Sequence, residues 1–288
     1  MIKDSIDSRK AYFDIDFEVK HIKTRGSQMM DIHFHDIFEI YIALTDNIKY
    51  FVGNRLYIVN RGDIFVFNNL DLHRSIVPPD VEYERMMVLF KHEYIQGMSS
   101  PETDLLECFL KRGPDFCHHN TLSNSEMLSF SALMKKASYY LGNNVYGSDI
   151  YRKTTLAEIL LLVNSVYSRQ KRQLCHPLKD EYNRIMPVIE YIQDNIDKDL
   201  SLDRLAAIFY LSKYHMGYLF RNATGFTINN YIINSRIIKA KELLSDGCNV
   251  TDAAFLAGFN NISHFIRTFR KFTGTTPKQY AFKSRGTM

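Results

Sequence analysis

Two hydrophobic rhythms divide the chain. Up to about residue 95, apolar residues gather in short runs: Phe38-Glu39-Ile40-Tyr41-Ile42-Ala43-Leu44, Leu56-Tyr57-Ile58-Val59, Ile64-Phe65-Val66-Phe67 and Met86-Met87-Val88-Leu89-Phe90. Turn-forming residues stand between them, at Gly53-Asn54, Asn60-Arg61-Gly62-Asp63, Asn68-Asn69 and Pro78-Pro79. Runs rich in β-branched and aromatic residues, punctuated in this way, predict strands. Several strands at close spacing predict a sandwich or barrel.

From 101 to 170 the rhythm lengthens to that of helices. Ser123-x-x-Glu126 has the form of a capping box and predicts a helix running to about Leu141, ended by Gly142-Asn143-Asn144. A second helix is expected over Asp149–Ser168, with Leu156, Ile159, Leu160, Val163 and Val166-Tyr167 on one wide apolar face. That face either covers the strands or pairs two chains, and the pattern supports both readings equally. A polar stretch from Arg169 to Asp180 reads as a linker.

Beyond the linker every segment reads as helix. The spans are about Asn183–Ile196, Leu202–Phe209 behind a Ser201 cap, Lys213–Asn222 behind a Ser212 cap, Thr227–Ser245, Val250–Leu256, Asn261–Phe272 and a last helix from about Pro277. Helix, tight turn, helix thus occurs twice, and the second helix of such a unit can enter a major groove. The long joining helix, at ~1.5 Å per residue, measures roughly 28 Å, near the ~34 Å of one duplex turn. Slight bending of the duplex absorbs the difference.

Each recognition helix has two faces. In the first, Met216, Leu219 and Phe220 form the buried stripe, which leaves Tyr214, Gly217, Tyr218 and Arg221 outside with Lys213 beside them. In the second, Phe265, Phe269 and Phe272 face the core, and Ser263, His264, Arg267, Arg270 and Lys271 face outward. Arg267 suits a bidentate pair with guanine, and Ser263 or His264 can reach a base edge or a phosphate. Lys213, Arg221, Arg270 and Lys271 suit phosphates. The competing reading makes Tyr214 or Tyr218 a partly buried core aromatic, and Arg236 either plain helix surface or a bridge between the two lobes.

Charge follows the same division. The net charge of +4 hides an asymmetry: from residue 201 onward twelve basic residues stand against four acidic ones, a balance of +8, so the first 200 residues carry −4. A basic end attracts a polyanion. The longest aliphatic run, Ile159 to Val163, is far short of the ~20 residues a bilayer requires. The opening Met1-Ile2-Lys3-Asp4-Ser5-Ile6-Asp7 lacks the apolar stretch of a secretion signal, so a cytoplasmic protein without a membrane partner is expected. Cys108, Cys117, Cys175 and Cys248 are scattered and read as reduced, unpaired thiols.

An ordered set of residues across 183–282 carries a family resemblance. It comprises Ser201-Leu202-x-x-Leu205-Ala206, Leu211-Ser212-x-x-His215-Met216-x-x-Leu219-Phe220-Arg221-x-x-x-Gly225, Tyr231, Arg236 and Ala240-Lys241-x-Leu243-Leu244. Gly258-Phe259-x-x-x-Ser263-x-Phe265-x-x-x-Phe269-Arg270-Lys271 and Gly274-x-x-Pro277-x-x-Tyr280 complete it. The set resembles the DNA-binding domain of AraC/XylS-type regulators. The resemblance implies two helix-turn-helix units joined by a long helix, double-stranded DNA as partner, and often a dimer. One departure matters: where such regulators often carry polar or basic readers, this chain has Gly217 and Tyr218. Arg267 is therefore expected to carry more of the sequence preference than the first unit does.

His33-Phe34-His35-x-x-x-Glu39 opens a predicted strand. Without a bulge, His33, His35, Ile37, Glu39 and Tyr41 share one face. Gly62-Asp63 opens a later stretch ending at His73. This spacing resembles the cupin fold, a small β-barrel whose enzymes hold a metal with three His and one Glu. His33, His35, Glu39 and His73 match those places one by one, and such ligands suit Fe, Mn, Ni or Zn. Asn68 stands where a Pro is usual and Leu70 where a Gly is usual. Three readings remain: a metal site, a hydrogen-bonded barrel mouth pairing His35 with Glu39, and a small-ligand pocket formed by His33, His35, Glu39, Tyr41 and His73. The pocket is favoured, so no cofactor is expected.

Together these give an α+β chain of two domains. A cupin-like sensor barrel occupies 1–100, a helical segment packing on it and available for dimerisation 101–170, a linker 171–181 and an all-α double helix-turn-helix domain 182–288. The expected protein is not an enzyme but a transcription regulator, activator or repressor being left open. It would respond to a small molecule, a sugar being one candidate, act as a homodimer and engage RNA polymerase. The alternatives are a metal-dependent cupin enzyme with a helical appendage and a DNA-binding protein without a ligand.

Overall fold

A strand buried on both faces organises the N-terminal domain. The computed structural model of the chain describes residues 16–26, 37–112, 116–169 and 181–285. Its strands are β1 (Phe17–Arg25), β2 (Phe38–Ala43), β3 (Ile48–Val52), β4 (Arg55–Val59), β5 (Asp63–Phe67), β6 (His73–Ile76), β7 (Glu82–Phe90) and β8 (His119–Thr121). They form a five-stranded sheet, β1-β7-β2-β5-β8, and a three-stranded sheet, β4-β3-β6. All the pairings are antiparallel. Alternate residues of a strand point to opposite faces. In β2, Phe38, Ile40 and Ile42 enter one core while Tyr41 and Ala43 enter another. Burial on both faces is why β2 is apolar at every position except Glu39 rather than alternating.

The second of these cores lies between the sheets and is largely aromatic. Tyr41, Tyr50, Tyr57, Phe65, Phe67 and Tyr83 fill it, with Tyr50 stacked on Phe65 at 5.3 Å and on Phe67 at 5.9 Å. The closed cupin-like barrel is corrected here: among the described residues no ladder joins the two sheets. The rings hold the sheets face to face, and the edge strands β6 and β8, of four and three residues, are too short to wrap from one sheet to the other.

Helices cover the other face of the larger sheet. Short helices α1 (His92–Ile95) and α2 (Glu107–Leu110) precede α3 (Asn124–Gly142) and α4 (Ser148–Ser168). Ser123 and Glu126 form the capping box that starts α3, each side chain bonded to the other's backbone N–H. Leu156, Ile159, Leu160, Val163 and Val166 of α4 are buried with Phe130, Met134 and Ala137 of α3 against β2, β5 and β7. The wide apolar face of α4 therefore covers the sheet. Leu128, Ile150 and Leu161 remain exposed on α3 and α4.

Of the four cysteines, Cys108 and Cys248 form no disulfide, but Cys117 is disulfide-bonded, which corrects the expectation of four unpaired thiols. Spacing along a chain does not report which sulfurs meet in space. The partner sulfur, like nearly all of the expected linker, lies outside the described residues.

The C-terminal domain has seven helices among the described residues: α5 (Glu181–Asp194), α6 (Leu202–Ile208), α7 (Lys213–Thr224), α8 (Ile228–Ser245), α9 (Val250–Leu256), α10 (Ile262–Thr273) and α11 (Pro277–Arg285). Side-chain caps start six of them, Thr276 accepting from the Gln279 N–H at the start of α11. Ser201, Ser212, Thr227, Asn249 and Asn261 accept from the backbone N–H of Arg204, His215, Asn230, Asp252 and His264, each contributing about 1 kcal/mol. Both recognition helices, α7 and α10, end at a left-handed glycine, Gly225 and Gly274.

The joining helix α8 belongs to two cores. Ile228, Tyr231 and Ile232 pack with α5, α6 and α7. Ile237, Ala240 and Leu244 pack with α9, α10 and α11. The first of these cores continues into the N-terminal domain, where Phe51, Leu56 and Leu72 on the outer side of the small sheet join it. Phe51 meets Phe226 at 5.8 Å and Tyr231 at 6.2 Å.

Candidate nucleic-acid interface and sensor site

Capping and an apolar stripe fix the orientation of each recognition helix. In α7, Met216, Leu219 and Phe220 are buried, whereas Tyr214 is 93% exposed and Tyr218 64%. Both tyrosines thus lie on the solvent face rather than in the core. Arg221 is exposed beside them, and exposed Lys213 pairs with Asp203 at the start of the unit. Gly217 is helical, and a methyl group added to it would meet nothing within 4 Å. In α10, Phe265 and Phe269 are buried, and Ser263, His264, Arg267, Arg270 and Lys271 are exposed. The His264 ring lies tilted against Phe259 at 6.0 Å. Among the described residues, Arg221, Arg267, Arg270 and Lys271 form no ion pair. Unneutralised cations on two exposed helix faces, each backed by an apolar stripe, leave charge available for a polyanion.

The N-terminal candidates converge only in part. His33 and His35 lie outside the described residues. Glu39, Tyr41 and His73 border the aromatic core: the half-buried His73 imidazole lies 3.4 Å from the buried Glu39 carboxylate. His73 also stacks on Phe67 at 3.8 Å and bonds through Nδ1 to the Asp71 carbonyl at 2.9 Å. Burial pulls the His73 imidazole down, but the hydrogen bond and charge of Glu39 outweigh it, so the ring is held above its ordinary value. The Tyr83 hydroxyl donates to that of Tyr41 at 3.1 Å. Burial pushes both phenols, and that of Tyr50, above the usual range. Among the described residues no three or more metal-ligating side chains come together.

A second polar cluster adjoins the first. The Asp71 carboxylate receives Arg112, His118 at 3.0 Å and the Asn68 N–H at 2.7 Å. Burial opposes its ionisation, but His118 and Arg112 together hold it well below the usual carboxylate range. Arg112 further donates to the carbonyls of Val66 and Cys108 and lies over the Phe116 ring at 4.5 Å. No sequence signal marks this cluster, because its members come from a strand end and two loops that only the fold brings together.

The loop carrying Asp71 touches the C-terminal domain. The Lys241 ammonium donates to the Asn69 carbonyl at 2.6 Å, and the Tyr231 hydroxyl donates to the Gly53 carbonyl at 3.3 Å. Arg74 lies over Phe226 at 5.4 Å. Beside these contacts is a cavity of about 320 Å³ bordered by Leu70, Asp71 and Leu72 on one side and by Gln193, Ile238 and Glu242 on the other.

Comparison with known proteins agrees with this division. The AraC-like ligand binding domain matches residues 15–160 and the helix-turn-helix domain matches residues 205–282. An HTH-type transcriptional regulator of Staphylococcus aureus (strain COL) is 26% identical over 262 residues, which make up 90% of this chain and 33% of that protein. The chain thus spans about a third of that relative's length. The HTH-type transcriptional regulator YfiF of Bacillus subtilis (strain 168) is 25% identical over 251 residues, 85% of this chain and 77% of that protein. Among solved structures, ToxT from Vibrio cholerae aligns over 94% of this chain and 98% of that one, with 13% identity and a TM-score of 0.38.

Proposed function

The chain belongs to the AraC-type family of transcription regulators, and from that premise we propose that it binds a specific duplex through α7 and α10 under the control of a small molecule. The observation that carries the reading is the pair of capped helices whose exposed faces hold Arg221, Arg267, Arg270 and Lys271 without anionic partners among the described residues. The joining helix has eighteen residues, about 27 Å at ~1.5 Å each, which suits successive major grooves on one side of a duplex. Lys213, Arg221, Arg270 and Lys271 hold phosphates. Arg267, with Ser263 and His264, reads bases. Tyr214, Gly217 and Tyr218 form the closer contact surface of the first unit.

The effector site lies at the Glu39–His73 end of the sheet-to-sheet core, with Tyr41; His33 and His35, which the sequence motif adds, lie outside the described residues. Buried ionisable groups beside stacked rings suit a ligand with hydroxyl groups, such as a sugar, and require no metal or catalytic step. The apolar residues left exposed on α3 and α4 support a homodimer. RNA polymerase is the further partner of an activator acting in the cytoplasm.

Selection from a random duplex pool tests the reading. The full chain is expected to enrich one motif, with affinity falling steeply as salt rises because phosphate contacts release counterions. Equal binding to all duplexes at moderate ionic strength would overturn it. Thermal-shift screening against sugars and other small metabolites tests the sensor, a stabilising hit being the expected result.

A further inference from the structure

Arg236 lies at the point on α8 where the helix passes from the first core to the second. Ile232 belongs to the core of the first unit and Ile237 to that of the second. Although Arg236 is in the basic domain, its guanidinium is turned onto protein. Nε donates to the Ile196 carbonyl at 3.0 Å and Nη2 to the Lys198 carbonyl at 2.8 Å. Both carbonyls belong to the turn between α5 and α6, in the first unit. Burial pulls the guanidinium down, while Asp199 and Asp197 nearby favour its charge.

The second unit closes on the same place. Gly258, in the turn between α9 and α10, has φ +87, and a Cβ built on it would lie 2.3 Å from the Ile196 carbonyl oxygen and 2.7 Å from Arg236 Nε. No side chain fits there, and the left-handed backbone also requires glycine. One carbonyl of the first unit is thus held by Arg236 and covered by the turn that leads into the second recognition helix.

We propose that Arg236, seated against Gly258, is a positioning residue that locks the two helix-turn-helix units into one rigid head and so sets the base-pair spacing the protein accepts between its two half-elements. The inference rests on the reading that α7 and α10 both enter DNA. Moving one half-element by a single base pair shifts it by about 3.4 Å and turns it by about 36° around the duplex. A rigid head cannot follow that displacement unless the duplex deforms. A head hinged at α8 can.

The experiment uses the full chain. A preferred site is first selected from a random pool, and its two half-elements are then moved by one and two base pairs in either direction. The wild-type protein is expected to bind one spacing best and to lose about tenfold for each base pair of displacement, comparable to a mismatch. Arg236→Ala should bind the best spacing more weakly and reduce that ratio to about threefold or less. Arg236→Lys keeps the charge and the aliphatic stem but cannot reach both carbonyls with a planar fork, so it should fall between the two. A loss of affinity equal at all spacings in both variants, or an unchanged ratio, would overturn the proposal, since a general loss of stability lowers all complexes alike. Wild-type binding that ignores spacing would overturn it too, while leaving the DNA-binding reading intact. Wild-type binding that ignores sequence would instead remove that reading.

Discussion

The ammonium of Lys241, wholly buried, donates at 2.6 Å to the backbone carbonyl of Asn69. Lys241 is on the helix that joins the two DNA-reading units, and Asn69 begins the loop that carries Asp71 and leads to His73. The side chain also lies 5.5 Å from the Tyr280 ring centroid, so one cation ties α8, α11 and the sensor domain together. Lys241→Met keeps most of the apolar stem and removes the charge-assisted hydrogen bond, leaving the Asn69 carbonyl without that donor. A loss of about 1–3 kcal/mol is expected, read as a lower urea midpoint. The two domains should also unfold in separate steps. A melt indistinguishable from wild type would show that this contact does not couple them.

The outward cations of α10 should divide into two kinds. Arg267→Ala is expected to relax preference at one base position at a cost of about 1–3 kcal/mol. Arg270→Ala and Lys271→Ala should weaken binding to all sequences alike, each lowering the salt slope by about one. Tyr214→Ala should change sequence preference less than Arg267→Ala, because the first recognition helix carries Gly217 where a reader would stand. Equal losses of preference from Arg267→Ala and Tyr214→Ala, in a binding titration against single-base variants of the site, would contradict this division of labour.

Gly217 has no evident structural duty. Its φ is that of an ordinary helix, and no neighbour occupies the place of a Cβ. Glycine within a helix costs roughly 0.5–1 kcal/mol relative to alanine. Gly217→Ala should therefore raise the melting temperature. If the bare backbone lets the duplex come close, the same change should weaken DNA binding severalfold. Stabilisation together with unchanged affinity would place Gly217 away from the duplex.

Local chemistry explains what could be read from the chain and what could not. Ser201, Ser212 and the Ser123–Glu126 pair act within three or four residues, so their caps were legible, as were the apolar stripes Met216-Leu219-Phe220 and Phe265-Phe269. Thr227 and Asn261 are the caps of α8 and α10 rather than their first residues, a one-residue difference that apolar spacing does not fix. The pairing of Glu39 with His73 was legible as membership of one motif but not as a contact, since it depends on how the two sheets face each other. The Arg236 bridge was legible as one of two readings, though not the carbonyls it meets; the Asp71–Arg112–His118 cluster and the bridge from Lys241 were not legible, because they depend on how distant loops and helices meet in the fold. The open form of the sheets was hidden for the same reason: alternation shows which face of a strand is buried, not which edges pair.

The Glu39–His73 pair fixes the sign of a pH dependence. Glu39 holds the His73 imidazole above its ordinary value, despite burial. The folded state therefore binds this proton more tightly than the unfolded chain does. Its contribution to stability is complete below the ordinary value of ~6.5 and is lost as pH rises through the raised folded value. Tyr41, Tyr50 and Tyr83, pushed upward mainly by burial, stay neutral across that range. Asp71, held low, adds its contribution above the ordinary carboxylate value and loses it only as pH falls through its depressed folded value, so it does not shape the alkaline side. The urea midpoint of the wild-type protein should accordingly fall between pH 6 and pH 9, and Glu39→Gln should flatten that fall by removing the charge that holds the proton. A Glu39→Gln profile parallel to wild type over that range would show that some other group sets the slope.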